Sequence, residues 1–313
     1  MIQSFSLRRI PAILLLSLCA LALSRCMADA ATPAGSPTEV FLAVPKTVHD
    51  GEPFACTAYA AGASSFLFEF RGKKITVPAE APAPQSGDTR KQGLVLLSIP
   101  LEHKTKRETL RCTALGPDKS LGTTEVTLTV APKKYPVQRL KVAPKYVTPD
   151  PALKPRIERE RNATRAALGT FSPVRYWTLP LHRPTPGIVT SEYGLRRVFN
   201  GQPRNPHLGV DFRAAEGTPI ECVADGKVIL TGDFYYAGRN VIVDHGLGVL
   251  STYMHLSEIS VKEGQMLHRG DLVGLAGSTG RVTGPHLHLS FTVLGSSVSA
   301  KPLFEARPKA GRQ

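Results

Sequence analysis

Residues 284–291 read GPHLHLSF, and the alternation within them sets the reading of the C-terminal half. In an extended chain successive side chains point to opposite faces, so His286, His288 and Ser290 share one face while Leu287, Leu289 and Phe291 share the other. One face is apolar and packs into a core; the other carries two imidazoles. A half-buried strand with a solvated polar face has the same pattern, so the stretch by itself fixes a strand and leaves the purpose of the imidazoles open.

The surrounding sequence has the same texture. From about Thr170 onward, short apolar-alternating runs such as GTPIECVADGKVILTG and RNVIVDHGLGVLSTYMHL are joined by glycine turns, which describes an open sheet or small barrel. Within it, NPHLGVDFR places His207 and Asp211 four apart. On a strand that even spacing keeps both side chains on one face, and Gly209 between them leaves room for a bulky neighbour. STYMHLSE adds His255 at the end of another alternating run. Each has an ordinary alternative, a solvated loop for His207 and Asp211 and a hydrogen-bonded core histidine for His255. Together, two imidazoles and one carboxylate are the three protein ligands of a catalytic zinc whose fourth position stays open, and two histidines remain to move protons. His245 in VDHG reads as a turn residue, and His49, His103, His182 and His268 as surface.

The stretches SEYGLRRVFNGQPRNPHLGVDFRAAEGTPIECVADGKVILTG, NVIVDHGLGVLSTYMHLSEI and GDLVGLAGSTGRVTGPHLHLSF, over residues 186 to 305, resemble the lysostaphin/LytM-type zinc endopeptidases that cut peptidoglycan cross-links. The joint occurrence of H-x-x-x-D, Y-x-H-L and G-P-H-L-H carries the resemblance. It implies an antiparallel β-sheet peptidase domain, with His207, Asp211 and His288 as zinc ligands and His255 with His286 as the catalytic pair. The division of roles between His286 and His288 comes from the resemblance; spacing alone leaves it open. The resemblance also places Asn240 and Tyr193 in segments that wall the substrate groove, where either residue also reads as an ordinary turn residue.

The N-terminus has an Arg8–Arg9 pair, an apolar run from Ile10 to Leu23 and an Ala28-Asp29-Ala30 site, which together read as an export signal over residues 1–30. The apolar run is shorter than the ~20 residues a membrane-spanning helix needs, so no membrane span is expected after processing, and the mature chain is expected to be periplasmic or secreted. A lipoprotein box before Cys26 fits poorly because Arg25 stands where a small residue is needed. Export leaves Cys56, Cys112 and Cys222, none with the C-x-x-C spacing of a structural zinc site. The formal net charge of +14 favours anionic surroundings such as cell-wall polymer. A single tryptophan and no ordered basic stripe with interleaved aromatics argue against nucleic acid.

Residues 31–131 contain seven short alternating runs separated by Gly, Pro and Asp, with Cys56 in the second and Cys112 in the sixth. They predict an immunoglobulin-like β-sandwich pinned by a Cys56–Cys112 disulfide, although the tryptophan that packs on such a bridge is missing. Residues 132–169 read as an extended Lys/Pro-rich connector followed by a helix capped by Asp150 and ended by Gly169. The sandwich and helix are candidates to shield the groove. Asn162-Ala-Thr matches a glycosylation sequon by chance. The overall class is therefore mostly β, with a sandwich, a helical linker and a sheet domain over 170–313. Two other functions compete with this reading, a non-catalytic wall-binding or hydrolase-activating module and a lipoyl-type carrier domain; the latter lacks a lysine at a hairpin tip. For substrate, the D-alanyl to diamino-acid cross-link is favoured over a pentaglycine bridge.

Overall fold

The computed structural model describes residues 38–81 and 89–305. The expected signal over residues 1–30 lies outside them, and among the described residues no helix is long and apolar enough to cross a membrane.

All seven expected runs of the first domain are strands. Phe41–Ala43, Pro53–Ala60 and Lys91–Ser98 form one sheet, in that order. A second runs Thr47–His49, Ser120–Ala131, Arg107–Leu115, Ser65–Phe70 and Lys73–Pro78. Alternation supplies the core between them, with Cys56, Phe66, Phe68, Val95, Leu110 and Cys112 all fully enclosed. The short strand Thr47–His49, parallel to the end of Ser120–Ala131, has no counterpart in the sequence reading. The cysteines lie one in each sheet, as expected, but the expected bridge is not formed: both are buried free thiols. Burial pushes the Cys112 thiol up to about 12 and, with Cys112 nearby, the Cys56 thiol well above its ordinary range. Neither readily forms the thiolate that starts disulfide exchange.

The connector is more ordered than its composition suggests. Val137–Leu140 pairs in parallel with Arg196–Phe199. The Tyr135 hydroxyl donates to the Asp50 carbonyl at 2.7 Å, and its ring lies where a Cβ on Gly194 would come within 2.0 Å. Glycine is required there twice, because φ is +85° as well. Asp150 accepts from the Ala152 amide at 2.8 Å to cap a short turn that leads into the helix Lys154–Leu168, ended by Gly169 as expected. The helix buries only Ile157 and is tied to the adjacent β-hairpin by polar contacts: Arg156 donates to the Asp233 carbonyl at 3.0 Å and Glu160 accepts from the Tyr235 amide at 2.8 Å.

The C-terminal sheet has ten strands. Its main path runs Val189–Ser191, Val210–Arg213, His286–Val293, Val249–Ile259, Gly238–Asp244, Gly226–Phe234 and Met266–Leu267. The sandwich is docked against this sheet: Leu96 joins the core of the C-terminal sheet, and Leu247 joins that of the sandwich. The Ser299 amide donates to the Gly51 carbonyl at 2.8 Å, and a single Arg175 nitrogen, Nη2, is shared between the two Glu80 carboxylate oxygens at 2.7 and 2.6 Å. Trp177, 1% exposed, donates its indole N–H to the Gly246 carbonyl at 3.2 Å.

His245 opens the turn between Gly238–Asp244 and Val249–Ile259, as expected, but the turn folds inward and the ring is fully buried. Its Nδ1–H donates to the Asp225 carbonyl at 2.8 Å, and Nε2 accepts from the Ser251 hydroxyl at 2.7 Å. Burial holds its pKa below the ordinary 6.5, so the folded protein keeps it neutral where the unfolded chain would charge it. The unfolded state then binds more protons below about pH 6.5, and this contribution to stability is complete above that value and declines as pH falls. Urea midpoints measured at pH 7 and pH 5 should show a drop at the lower pH that is smaller in His245→Asn, whose amide can replace only the Nδ1–H bond.

Candidate metal centre

The centre is built on two neighbouring strands whose pairing puts Asp211 directly across from His288, and Arg213 across from His286. His288 and His286 therefore fall on the groove side, while Leu287, Leu289 and Phe291 are fully buried, as the alternation predicts. Gly209 makes space for the His288 ring: a Cβ there would sit 2.5 Å from His288 Nε2 and 2.7 Å from the Leu289 carbonyl. His207 lies just before the first of these strands, held by backbone bonds from its N–H to the Leu195 carbonyl (2.9 Å) and from the Gly194 N–H to its own carbonyl (2.7 Å).

Three donor atoms converge. His207 Nε2 lies 3.0 Å from Asp211 Oδ1 and 3.0 Å from His288 Nδ1, and His288 Nδ1 lies 2.8 Å from Asp211 Oδ1. His207 Nδ1 faces the Glu192 carbonyl at 2.8 Å. A carbonyl only accepts, so the ring proton is on Nδ1, and Nε2 presents a lone pair to a carboxylate oxygen that also presents lone pairs. Two acceptors 3.0 Å apart repel unless a cation lies between them. The donor set thus fits the zinc expected from the sequence: one carboxylate oxygen and two imidazole nitrogens, all on one side. Tetrahedral zinc with bonds of ~2.0–2.2 Å spaces its ligand atoms about 3.4 Å apart, a small outward adjustment from the distances here. Burial alone would raise the Asp211 carboxyl, but the bond it accepts from His288 Nδ1 outweighs that and holds it below the usual carboxylate range. Arg197 donates from Nη2 to the other oxygen, Oδ2, at 3.1 Å, fixing the carboxylate plane.

Two further imidazoles surround this point. His286 Nε2 is 3.8 Å from Asp211 Oδ1, and its Nδ1–H donates to the Gly284 carbonyl at 2.8 Å. His255 donates its Nδ1–H to the Thr279 carbonyl at 2.9 Å, with its ring centroid 5.0 Å from that of His286 and 5.9 Å from that of His288. Both rings therefore carry their lone pair on Nε2. His255 is 7% exposed, and burial together with the neighbouring His288 and His286 brings its pKa down to about 3, so it is neutral at working pH. Its backbone is at φ +65°. The cause is a bulge: between Arg239↔Leu256 and Val241↔Tyr253, the two residues Met254 and His255 oppose the single residue Asn240. A left-handed, β-bulged residue at the centre of a site is strain held by the sheet around it.

The five expected side chains are brought together, and the two expected groove-wall residues are not. Asn240 is 2% exposed and donates both amide hydrogens to backbone, at 3.1 Å to the Gly232 carbonyl and 3.0 Å to that of Gly238. It braces the bulge that holds His255. Tyr193 is buried with its hydroxyl donating to the Ser297 carbonyl at 2.8 Å and its ring edge-on to Tyr135, so it joins the linker to the sheet. The groove itself has a volume of about 640 Å³, and its lining comes from residues 197–288, with none from the sandwich or the linker helix. Among the described residues the sandwich therefore does not shield it. Arg197, Phe199, Arg204, Tyr236 and Arg281 line it and went unnoticed in the sequence, where they lie in separate segments with no periodic signal.

Residues 205–300 match the model of peptidase family M23. A chain of Pseudomonas aeruginosa assigned to peptidase M23, with a crystal structure, is 30% identical and superposes with a TM-score of 0.58 over 80% of this chain and 91% of that one. The chain belongs to peptidase family M23. It is also similar to the peptidoglycan DD-endopeptidase ShyA of Vibrio cholerae, at 42% identity over 126 residues, 39% of this chain and 29% of that protein. Its similarity to the DD-carboxypeptidase/endopeptidase Mpg of Neisseria meningitidis is 41% over 93 residues, 30% of this chain and 21% of that protein. The chain thus spans less than a third of the length of these two relatives.

Because Gly209 is the seat of the His288 ring and a Cβ there also presses on the Leu289 carbonyl, Gly209→Ala should push a ligand out of place and strain the strand pair that carries it. Divalent-metal affinity, read by competition with a chromophoric chelator, is expected to fall on the order of 10- to 100-fold, as for loss of a ligand-orienting group.

Proposed function

We propose that this chain is a zinc-dependent endopeptidase that hydrolyses peptide cross-links of bacterial peptidoglycan outside the cytoplasm, at the D-alanyl to diamino-acid bond. The observation that carries the reading is the convergence of the His207, Asp211 and His288 donor atoms with two more imidazoles beside them, His286 with its Nε2 3.8 Å from Asp211 Oδ1 and His255 with its ring 5.0 Å from that of His286. The named activities of the ShyA and Mpg relatives support it, and the basic charge of the chain suits an anionic wall polymer. Residues 1–30 act as the export signal in this reading, residues 38–131 as an accessory sandwich and residues 170–313 as the peptidase domain.

His207, Asp211 and His288 would hold zinc, which when bound supplies Lewis acidity at the scissile carbonyl and brings the pKa of water to about 7. His255 and His286 do the proton work. Their Nδ1–H groups are committed to the Thr279 and Gly284 carbonyls, so each ring is fixed in orientation with Nε2 as its only exchangeable position. One Nε2 takes the proton released by the attacking water and later returns it to the leaving amine. The other enters as the imidazolium, with its second proton taken from solvent before the substrate binds, and donates Nε2–H to the developing oxyanion. Arg197 keeps Asp211 ionised and oriented.

Roles separate by substitution. His288→Ala and Asp211→Ala should lose both bound metal and cleavage of cross-linked muropeptides. His255→Ala should keep one metal per chain while kcat falls on the order of 100- to 10,000-fold; a metal-free His255→Ala protein would contradict the assignment. Treatment with a chelator should abolish cleavage, and added Zn²⁺ should restore it with muropeptide monomers as the products seen by mass spectrometry.

A further inference from the structure

The groove beside the metal centre is strongly cationic for a reason the reaction itself does not require. Arg197, Arg204 and Arg281 all line it, and among the described residues no aspartate or glutamate does. Asp211 lies beneath, and it is committed to the donor cluster and to Arg197. Among the described residues Arg204 reaches only neutral acceptors, the Pro203 carbonyl at 3.1 Å, the Val147 carbonyl at 3.2 Å and the Gln202 side chain at 2.6 Å. The Arg197 Nε is buried without a partner.

Arg281 is the most exceptional of the three. Among the described residues its guanidinium has no hydrogen-bond acceptor and no carboxylate. It is held by ring faces instead, 5.2 Å from the centroid of Phe199 and 4.7 Å from that of Tyr236. Burial and the nearby Arg197 and Arg204 both disfavour its charge. A half-buried guanidinium with no acceptor from the protein keeps its N–H donors free to meet a ligand in the groove, and its planar fork matches a carboxylate.

Resting on the hydrolase reading above, we infer that Arg281, flanked by Arg204 and stacked on Phe199 and Tyr236, forms a subsite for a free carboxylate carried by the amine-side residue of the scissile bond. The preferred cross-link is then one whose diamino acid is also a dicarboxylic acid, so that the carbon bearing the cross-linking nitrogen also bears a carboxylate. A lysine cross-link has no such group, and an oligoglycine bridge has consumed its carboxyls in amides. The subsite thus selects among the cross-links that the catalytic groups would cut alike.

The test uses the full zinc-loaded chain and three cross-linked muropeptide dimers: one unmodified, one amidated at the diamino-acid carboxylate next to the scissile bond, and one amidated at the glutamyl carboxylate of the stem. For the wild type, the diamino-acid amide should lower kcat/KM on the order of 10- to 100-fold, the worth of a charge-assisted bond, and the glutamyl amide should change little. Arg281→Gln should cut the unmodified dimer about as slowly as the wild type cuts the diamino-acid amide, and should not distinguish the two. Arg281→Lys should fall between, and metal content should be unchanged in both variants. Calorimetric binding of the same dimers to metal-free protein should give the same ranking without turnover. The inference is overturned if the wild type cuts all three dimers equally, if the glutamyl amide is the slow one, or if Arg281→Gln loses the same factor on every dimer. A wild type that cuts no dimer but cleaves pentaglycine overturns the cross-link reading and the subsite with it.

Discussion

Everything at this site depends on the register of one strand pair. Val210–Arg213 lies antiparallel to His286–Val293, with Asp211 opposite His288. Because side chains alternate, a slip of one residue would turn the carboxylate and both imidazoles into the core and the apolar residues into the groove. Val210, Phe212, Leu287 and Leu289, all at most 3% exposed, resist that slip, so the same burial that stabilises the sheet aligns the donor atoms. The metal centre is in this sense a by-product of hydrophobic registration, refined at one position by the missing side chain of Gly209.

The second constraint is tautomeric. His207, His255 and His286 each give Nδ1–H to a backbone carbonyl, those of Glu192, Thr279 and Gly284. Backbone acceptors cannot change protonation, so three rings are locked with Nε2 facing inward, whatever the substrate does. His288 is the exception: it offers Nδ1 to the cluster, and its Nε2 packs over Gly209. The bulge at His255 has a local conformational cost of order 1–3 kcal/mol, offset by the surrounding ladder and by the Asn240 amide that braces it. Strain is thus concentrated on a residue outside the donor triangle whose ring lies against those of His286 and His288.

The linker changes the meaning of the two-lobed arrangement. A Lys/Pro-rich segment of this composition reads as a solvated tether, but Val137–Leu140 extends the small sheet carrying Arg196–Phe199, and Arg204 is bonded to the Val147 carbonyl. Two of the groove's arginines and Phe199 therefore depend on the linker for their backbone support. Tyr135 closes the triangle by bonding Asp50 of the sandwich while seated on Gly194. The sandwich is connected to the groove's walls through this chain of contacts and contributes no lining residue itself.

Local periodicity was enough to read the mostly β class, the seven sandwich runs, the capped helix after Asp150 and the common face of His286 and His288, because alternation and caps are properties of a few consecutive residues. Motif resemblance added the five side chains at the centre, and the structure brings all five to one place. What the chain could not reveal locally were contacts between residues far apart in sequence: Arg281 between Phe199 and Tyr236, Tyr193 turned toward Tyr135, Asn240 behind the His255 bulge, and His245 enclosed in the core. Each is decided by which strand packs beside which, and that choice minimises exposed apolar area over the whole domain. The two unbonded thiols show the same limit, since a cysteine on each facing sheet is legible in sequence, while burial decides whether either can ionise.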